Sequence, residues 1–194
     1  MAIYTNLDAV SSGTHGIFSS ALLKSTISGH IWDVLVRENQ SGTMVEIPVD
    51  NGVGVKVLDF TGNGYQERYG TIAAAKDKIG VTGTPAVVKD AFTQAQAAET
   101  NFYNRAGQDS KVYEIIGDPA DGDIFGIGAH QFSSAANTIA VGNYVTVDGN
   151  GGWTASATKP SASAYGFIGQ IHSIKAGMFY TLVHVYALQN VDNN

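Results

Sequence analysis

The chain contains no cysteine. That excludes disulfides, thiolate metal sites and cysteine nucleophiles, so stability has to come from packing and strand pairing. Charge is scarce too: 14% of the 194 residues are charged, and 11 basic against 17 acidic residues leave a formal charge of -6. No Lys/Arg cluster opposes that balance, which argues against nucleic acid as a direct ligand. No stretch approaches the ~18 apolar residues of a membrane-spanning helix. The opening MAIYTNLDAV has no basic segment leading into an apolar run, so the expectation is a soluble, unprocessed protein with no membrane partner.

Catalytic and cofactor signatures are missing as well. His15, His30, His130, His172 and His184 form no HExxH helix and no closely spaced ligand set. His172 and His184 stand almost equally far from the turn at Lys175-Ala176-Gly177 and can face each other across a hairpin, but a third metal ligand is lacking locally. The run Asp118-Pro119-Ala120-Asp121-Gly122-Asp123 gathers three carboxylates without the register or terminal Glu of a calcium loop, and Asp-Pro and Asp-Gly are ordinary turn chemistry. Gly62-Asn63-Gly64 lacks the third glycine of a dinucleotide fingerprint, and Gly83 to Lys89 supplies no P-loop. Ser19 and Ser20 stand outside any GxSxG elbow. Paired carboxylates on separate strands converge by chance in any fold and carry no weight alone. The expectation is no enzyme, no cofactor and no metal.

What is present is glycine and alternation. The 23 glycines exceed the ~7% usage of globular domains. Either they populate the turns of an all-β fold, or, with so few charges, they suit a surface that is covered in the working state. Trp32, Val34 and Val36 alternate with polar residues, Asn39-Gln40-Ser41-Gly42 reads as a turn, and Val45, Ile47 and Val49 alternate again. After Asn51-Gly52 come Val53, Val55 and Val57, so three antiparallel strands are expected, with Pro48 at an edge or strand end. Residues 65–81 are ambiguous between helix and strand ends. Further strands are expected at Val112–Ile116, Asp123–Gly128, Asn143–Val147, Trp153–Ala155, 165–174 and 178–189. One helix is predicted at Lys89–Asn104, with Phe92, Ala95, Ala98 and Phe102 as its buried stripe.

These patterns predict a mainly β fold. Its body is an antiparallel sandwich or barrel over residues 31–190, with one central helix dividing it near 89–106. Residues 1–30, which lack a period but carry Ile3, Leu7, Ile17, Phe18, Leu22, Leu23 and Ile27, read as an extended arm, or else as a short helix around Ser20–Ser25 stopping near Gly29. Residues 191–194 form a polar tail. The last strand offers two apolar flanks, Phe179, Val183, Val185 and Ala187 on one and Leu182, Tyr186 and Leu188 on the other, so it needs cover on both sides. Trp153 beside Asn150 is the local candidate for sugar binding, against a role pinning its hairpin to the core.

The segments AVGNYVTVDGNGGWTAS and AYGFIGQIHSIKAGMFYTLVHVYALQN, with a "VGxYV" entry, a Gly-rich hairpin and a long last strand closing on Gln-Asn, resemble the small β-rich decoration, or cement, proteins of tailed-bacteriophage capsids. The likeness covers the C-terminal half, with an echo in the Gly/Ser-rich opening. It implies a structural virion protein on the capsid surface, bound to the major capsid protein as a homo-oligomer, a trimer by preference. Contacts would fall on the arm (Ile3, Leu7, Ile17, Phe18, Leu22 and Leu23) and the last strand (Phe179, Val183 and Tyr186). The predicted helix and the long 60–110 region depart from the smallest members and leave a minor tail or head-fibre component open. A carbohydrate- or receptor-binding β module is the alternative.

Overall fold

The computed structural model describes residues 15–24, 30–62, 67–85, 102–134, 138–177 and 180–194, which form two sheets of antiparallel character. In chain order the strands are β1 (Phe18–Ser19), β2 (Ile31–Gln40), β3 (Thr43–Glu46), β4 (Gly54–Phe60), β5 (Glu67–Ile72), β6 (Gly80–Thr82), β7 (Ser110–Glu114), β8 (Ile124–Gly128), β9 (Tyr144–Val147), β10 (Trp153–Ser156), β11 (Phe167–Ala176) and β12 (Thr181–Asn190). No α-helix occurs among the described residues. The predicted helix lies outside them over 89–101. Its last residues, 102–104, are not helical, and Asn104 forms an antiparallel bridge with Val49.

One sheet closes on itself. Its order β2-β5-β4-β6-β7 returns to β2 through the β2–β7 pairing, giving a five-stranded barrel with β3 attached outside it. The β2–β3 hairpin is as predicted: Ser41 (φ 54°) and Gly42 (φ 90°) supply the left-handed pair that matches strand twist, and the Gly42 amide donates to Asn39 Oδ1 at 2.8 Å. The expected three-stranded meander is not formed. β4 pairs with β5 and β6, and β5, drawn from the ambiguous 65–81 stretch, runs parallel to β2. Alternate residues fill the bore, among them Val34, Val36, Val55 and Val112, with Ile47, Val49 and Val53 from the loop after β3. Five strands enclose little space. A Cβ at Gly70 would stand 2.5 Å from Val34 Cγ1 and 2.9 Å from Val55 Cγ1, and one at Gly80 would stand 2.5 Å from Val112 Cγ1.

The second sheet is open and antiparallel throughout, in the order β1-β8-β12-β11-β9-β10. Its inner face shares a core with Ala73, Ile79, Val81 and Ile115 from the barrel side. At the centre, Phe125, Trp153 and Phe167 pack as a ring trio with centroids 5.6 to 5.9 Å apart. On β12, Val183, Val185 and Ala187 are fully buried in this core, whereas Leu182, Tyr186 and Leu188 on the other flank are half-buried. The two-sided reading of that strand therefore holds as a pattern, with one side hidden completely and the other in part.

Buried polar side chains join sheet and barrel. The Trp153 indole N–H donates to the Gly52 carbonyl at 2.7 Å. Gln131 accepts from the amides of Ile17 (3.0 Å) and Gly128 (2.9 Å) and donates to the Asn51 carbonyl (2.9 Å). Asn190 accepts from the Ile79 amide at 2.8 Å and donates to the carbonyls of Ile79 (2.8 Å) and Ile115 (2.7 Å). Gly52 (φ 76°) fits here because a Cβ would come within 2.4 Å of Ile17 O and of the Gln131 side chain.

The described residues add three observations on organisation. Residues 15–24 are part of the body: His15 Nδ1 meets Asp50 Oδ1 at 2.8 Å, β1 pairs with β8, and the Lys24 amide donates to Asp123 at 2.9 Å. Residues 1–14 and 25–29 lie outside the described set. The change from barrel to sheet falls at 115–123, where β7 has ended and β8 has not begun, and of the 89–106 stretch residues 89–101 lie outside the described set. The 191–194 tail is tied down: the Val191 amide donates to Gly166 O, the Asn193 amide to Lys76 O, and Asp192 pairs with Lys56.

The narrow bore makes a stability prediction. Gly70→Ala should destabilise the protein by about 1–3 kcal/mol through overpacking, seen as a lower midpoint in chemical denaturation. An unchanged midpoint would mean that the barrel wall yields at no cost.

Candidate functional site

The barrel is open at the end where β2, β5 and β6 begin and β4 and β7 finish. On β2 the inward positions are Trp32, Val34 and Val36, and Trp32 packs at the margin of the bore. On β5 and β7 the corresponding outermost inward positions are Arg68 and Glu114. A cavity of about 280 Å³ lies here, lined by Trp32, Val57, Arg68, Ile79, Glu114 and Asp192 together with Lys56, Lys78 and Gly80.

Most charges of this mouth are matched. Lys78 Nζ lies 2.5 Å from Glu114 Oε1, and His30 Nδ1 lies 3.3 Å from Glu114 Oε2. Burial pushes the Glu114 carboxyl up, but the Lys78 ammonium and His30 outweigh it and hold it below its usual range. Lys56 reaches Asp77 at 2.7 Å and Asp192 at 3.3 Å, and the Asp77 hydrogen bond raises the Lys56 ammonium above its ordinary value. Arg68 is different. Its guanidinium carbon sits 4.2 Å from the centroids of both Trp32 and Phe60, between the rings. Nη1 makes a long bond to Leu58 O at 3.4 Å, Nε is buried without a hydrogen-bond partner, and no carboxylate pairs with it among the described residues.

A second feature lies at the far end of β2. All four residues of β3 are exposed, including Met44 and Val45, and β3 pairs with β2 alone, so its outer edge carries no strand among the described residues.

The residues expected to touch a partner separate into three groups. Ile3, Leu7 and Phe179 lie outside the described residues. Ile17 and Val183 are fully enclosed in the protein's own core, and Phe18 and Leu23 pack against it, Phe18 lying 5.1 Å from the Tyr113 ring. These four are internal contacts because β1 and β12 are strands of the second sheet and Leu23, just after β1, packs on the same core. Leu22 is 45% exposed, and Tyr186 is half-buried with its hydroxyl donating to Pro119 O and accepting from the Gly122 amide. Of the two roles open to Trp153, the structure shows the anchor: it has no exposed ring face and its N–H is committed to Gly52. Arg68, Phe60 and the inward position of Trp32 at a barrel mouth left no local signal, since β5 was ambiguous and barrel closure is not written in alternation.

The two rejected metal candidates are occupied otherwise. Asp118 Oδ1 accepts from the amides of Ala120 and Asp121, and Asp123 accepts from Ile116 and Lys24. A bulge between Ile171 and Ser173 places Ser173, not His172, opposite His184, whose Nδ1 lies 2.9 Å from Ser173 Oγ. Comparison with protein families, with curated proteins and with solved structures returns no match for this chain.

Two groups set opposite pH responses. Burial, then Lys175 and His172, holds the His184 imidazole below its ordinary 6.5. Its contribution to stability is therefore present above pH 6.5 and is lost as pH falls through the lowered value. Partial desolvation, then the neighbouring Glu67 carboxyl, pushes the solvent-exposed Asp109 carboxyl up to about 6 from 3.8, so its contribution, reduced by solvent screening, is full below 3.8 and is lost as pH rises through 6. In melting curves between pH 4 and 8, His184→Gln should flatten the loss on the acid side, and Asp109→Asn should raise the midpoint at pH 8 by about 2 °C. Either variant tracking the wild type at every pH would contradict its assignment.

Proposed function

We propose that this chain is a structural virion protein that binds the outer surface of a phage capsid, contacts the major capsid protein, and acts as a homo-oligomer. The resemblance of the C-terminal half supplies the family. The observation that carries the reading is β3, whose four residues are exposed and whose outer edge pairs with no strand among the described residues, presenting Met44 and Val45 to the surroundings. An exposed edge strand is a template for pairing that monomeric proteins ordinarily cover, bend or charge. A shell protein that adds to a repeating lattice uses such an edge: many modest contacts, multiplied over the lattice, hold it in place without a deep pocket. The half-covered flank of β12, with Leu182, Tyr186 and Leu188, adds a second apolar surface for the same purpose.

Co-sedimentation with purified empty capsid shells tests the reading. The full chain should pellet with the shells in saturable amounts. Val45→Asp, at a position 39% exposed and so without consequence for the core, should weaken that binding by about tenfold or more. Failure of the full chain to associate with any shell would overturn the proposal.

A further inference from the structure

We infer that the open end of the barrel is a binding site for a small sugar acid, with the carboxylate on Arg68 and the hydroxyls on the paired charges of the rim. Arg68 sets the class of ligand. Lys78 is neutralised by Glu114 and Lys56 by Asp77 and Asp192, whereas Arg68 is flanked by two rings that attract its charge but offer no acceptor in its plane. The group complementary to a guanidinium fork is a planar anion with two oxygens, which is a carboxylate. Its charge is limited by the neighbours. Lys56 and Lys78 already have carboxylate partners in Asp77, Asp192 and Glu114, so of the three lining cations Arg68 alone is left to match one added negative charge. A doubly charged phosphate would face Glu114 and Asp192 with no surplus cation left to offset the repulsion.

The remainder of the cavity sets the rest of the molecule. Trp32, Val57 and Ile79 make an apolar wall suited to the C–H face of a ring, and the Lys78–Glu114 and Lys56–Asp192 pairs place donors and acceptors side by side around it, as hydroxyl groups require. A volume of about 280 Å³ lies just under the ~300–1,000 Å³ of small-molecule pockets, which suits one ring and not an extended chain. The site is independent of β3, which pairs with residues 37–40 at the opposite end of β2 from Trp32. Loss of either activity therefore leaves the other in place.

Titration calorimetry of the full chain with sodium glucuronate, with glucose and sodium acetate as controls, tests this. Glucuronate should bind saturably and one to one, and glucose and acetate should each bind at least about tenfold more weakly. Arg68→Gln should weaken glucuronate by about tenfold or more, while Val45→Asp leaves it unchanged. Because loss of the stacked guanidinium can also loosen the barrel, the wild type is followed in parallel by amide and indole NMR. Of the two tryptophans, the Trp32 indole signal should move with glucuronate and that of Trp153 should not. The assignment is overturned if glucuronate gives neither heat nor a Trp32 shift, if glucose or acetate binds as tightly, or if a folded Arg68→Gln protein binds like the wild type.

Discussion

Three buried side chains of the sheet half, Gln131, Trp153 and Asn190, each hydrogen-bond backbone groups of the barrel half, Gln131 holding the Ile17 and Gly128 amides of its own half as well, and the arrangement of the molecule depends on this. The loop before β4 and the segments around Ile79 and Ile115 would otherwise bury unpaired amides and carbonyls between two layers. Each such orphan costs about 1–3 kcal/mol, so layers held by apolar contact alone would be penalised wherever the strands give way to loops. With the side-chain amides in place, the shared core of Phe125, Trp153 and Phe167 closes over Ile79, Val81 and Ile115. The buried contact of His15 with Asp50, next to the stacked Tyr103 ring 4.8 Å away, fastens the start of the described chain to the same loop.

The barrel follows its own constraint, that of a small circumference. Where opposite walls approach, the interior admits Val34, Val55 and Val112 only because Gly70 and Gly80 have no side chain. Toward the open end the same inward rows continue with Trp32, Arg68 and Glu114, residues too large or too charged to meet at the axis, and the bore widens into a cavity. The cavity is thus a consequence of where the small residues stop. At the opposite end of β2, β3 pairs with β2 alone among the described residues.

Much of the strand content was legible in the sequence because half-buried strands alternate: β2, β9, β10 and the Val183–Ala187 part of β12 carry apolar residues at every second position, while β11, whose Ile168, Ile171 and Ile174 stand three apart across its bulges, was legible by its apolar content alone. Pairing was not legible. Nothing local in Glu67–Ile72 says that it runs parallel to β2, and Gly70, which reads as a weak point in a strand, is there to admit Val34 and Val55. The segment around Ile17 and Phe18 looked like an arm because two residues of strand leave no period. Its place is fixed by side chains more than a hundred positions away, such as Gln131. Trp153 was legible as an anchor, since an aromatic after a Gly-rich turn needs somewhere to bury its ring. Arg68 was not, because its meaning lies in Trp32 and Phe60, which reach it from other strands.

If sheet and barrel are one cooperative body, the amides that join them should be as hard to open as the centres of the two layers. Native-state hydrogen exchange measures this directly at the amide of Ile79, whose acceptor is Asn190, beside those of Val112 in the barrel and Val185 in the sheet. A single opening free energy shared by all three is the expected result. Two distinct energies for Val112 and Val185, with Ile79 exchanging more readily than either, would show that the layers come apart on their own and that these side chains do not hold them together.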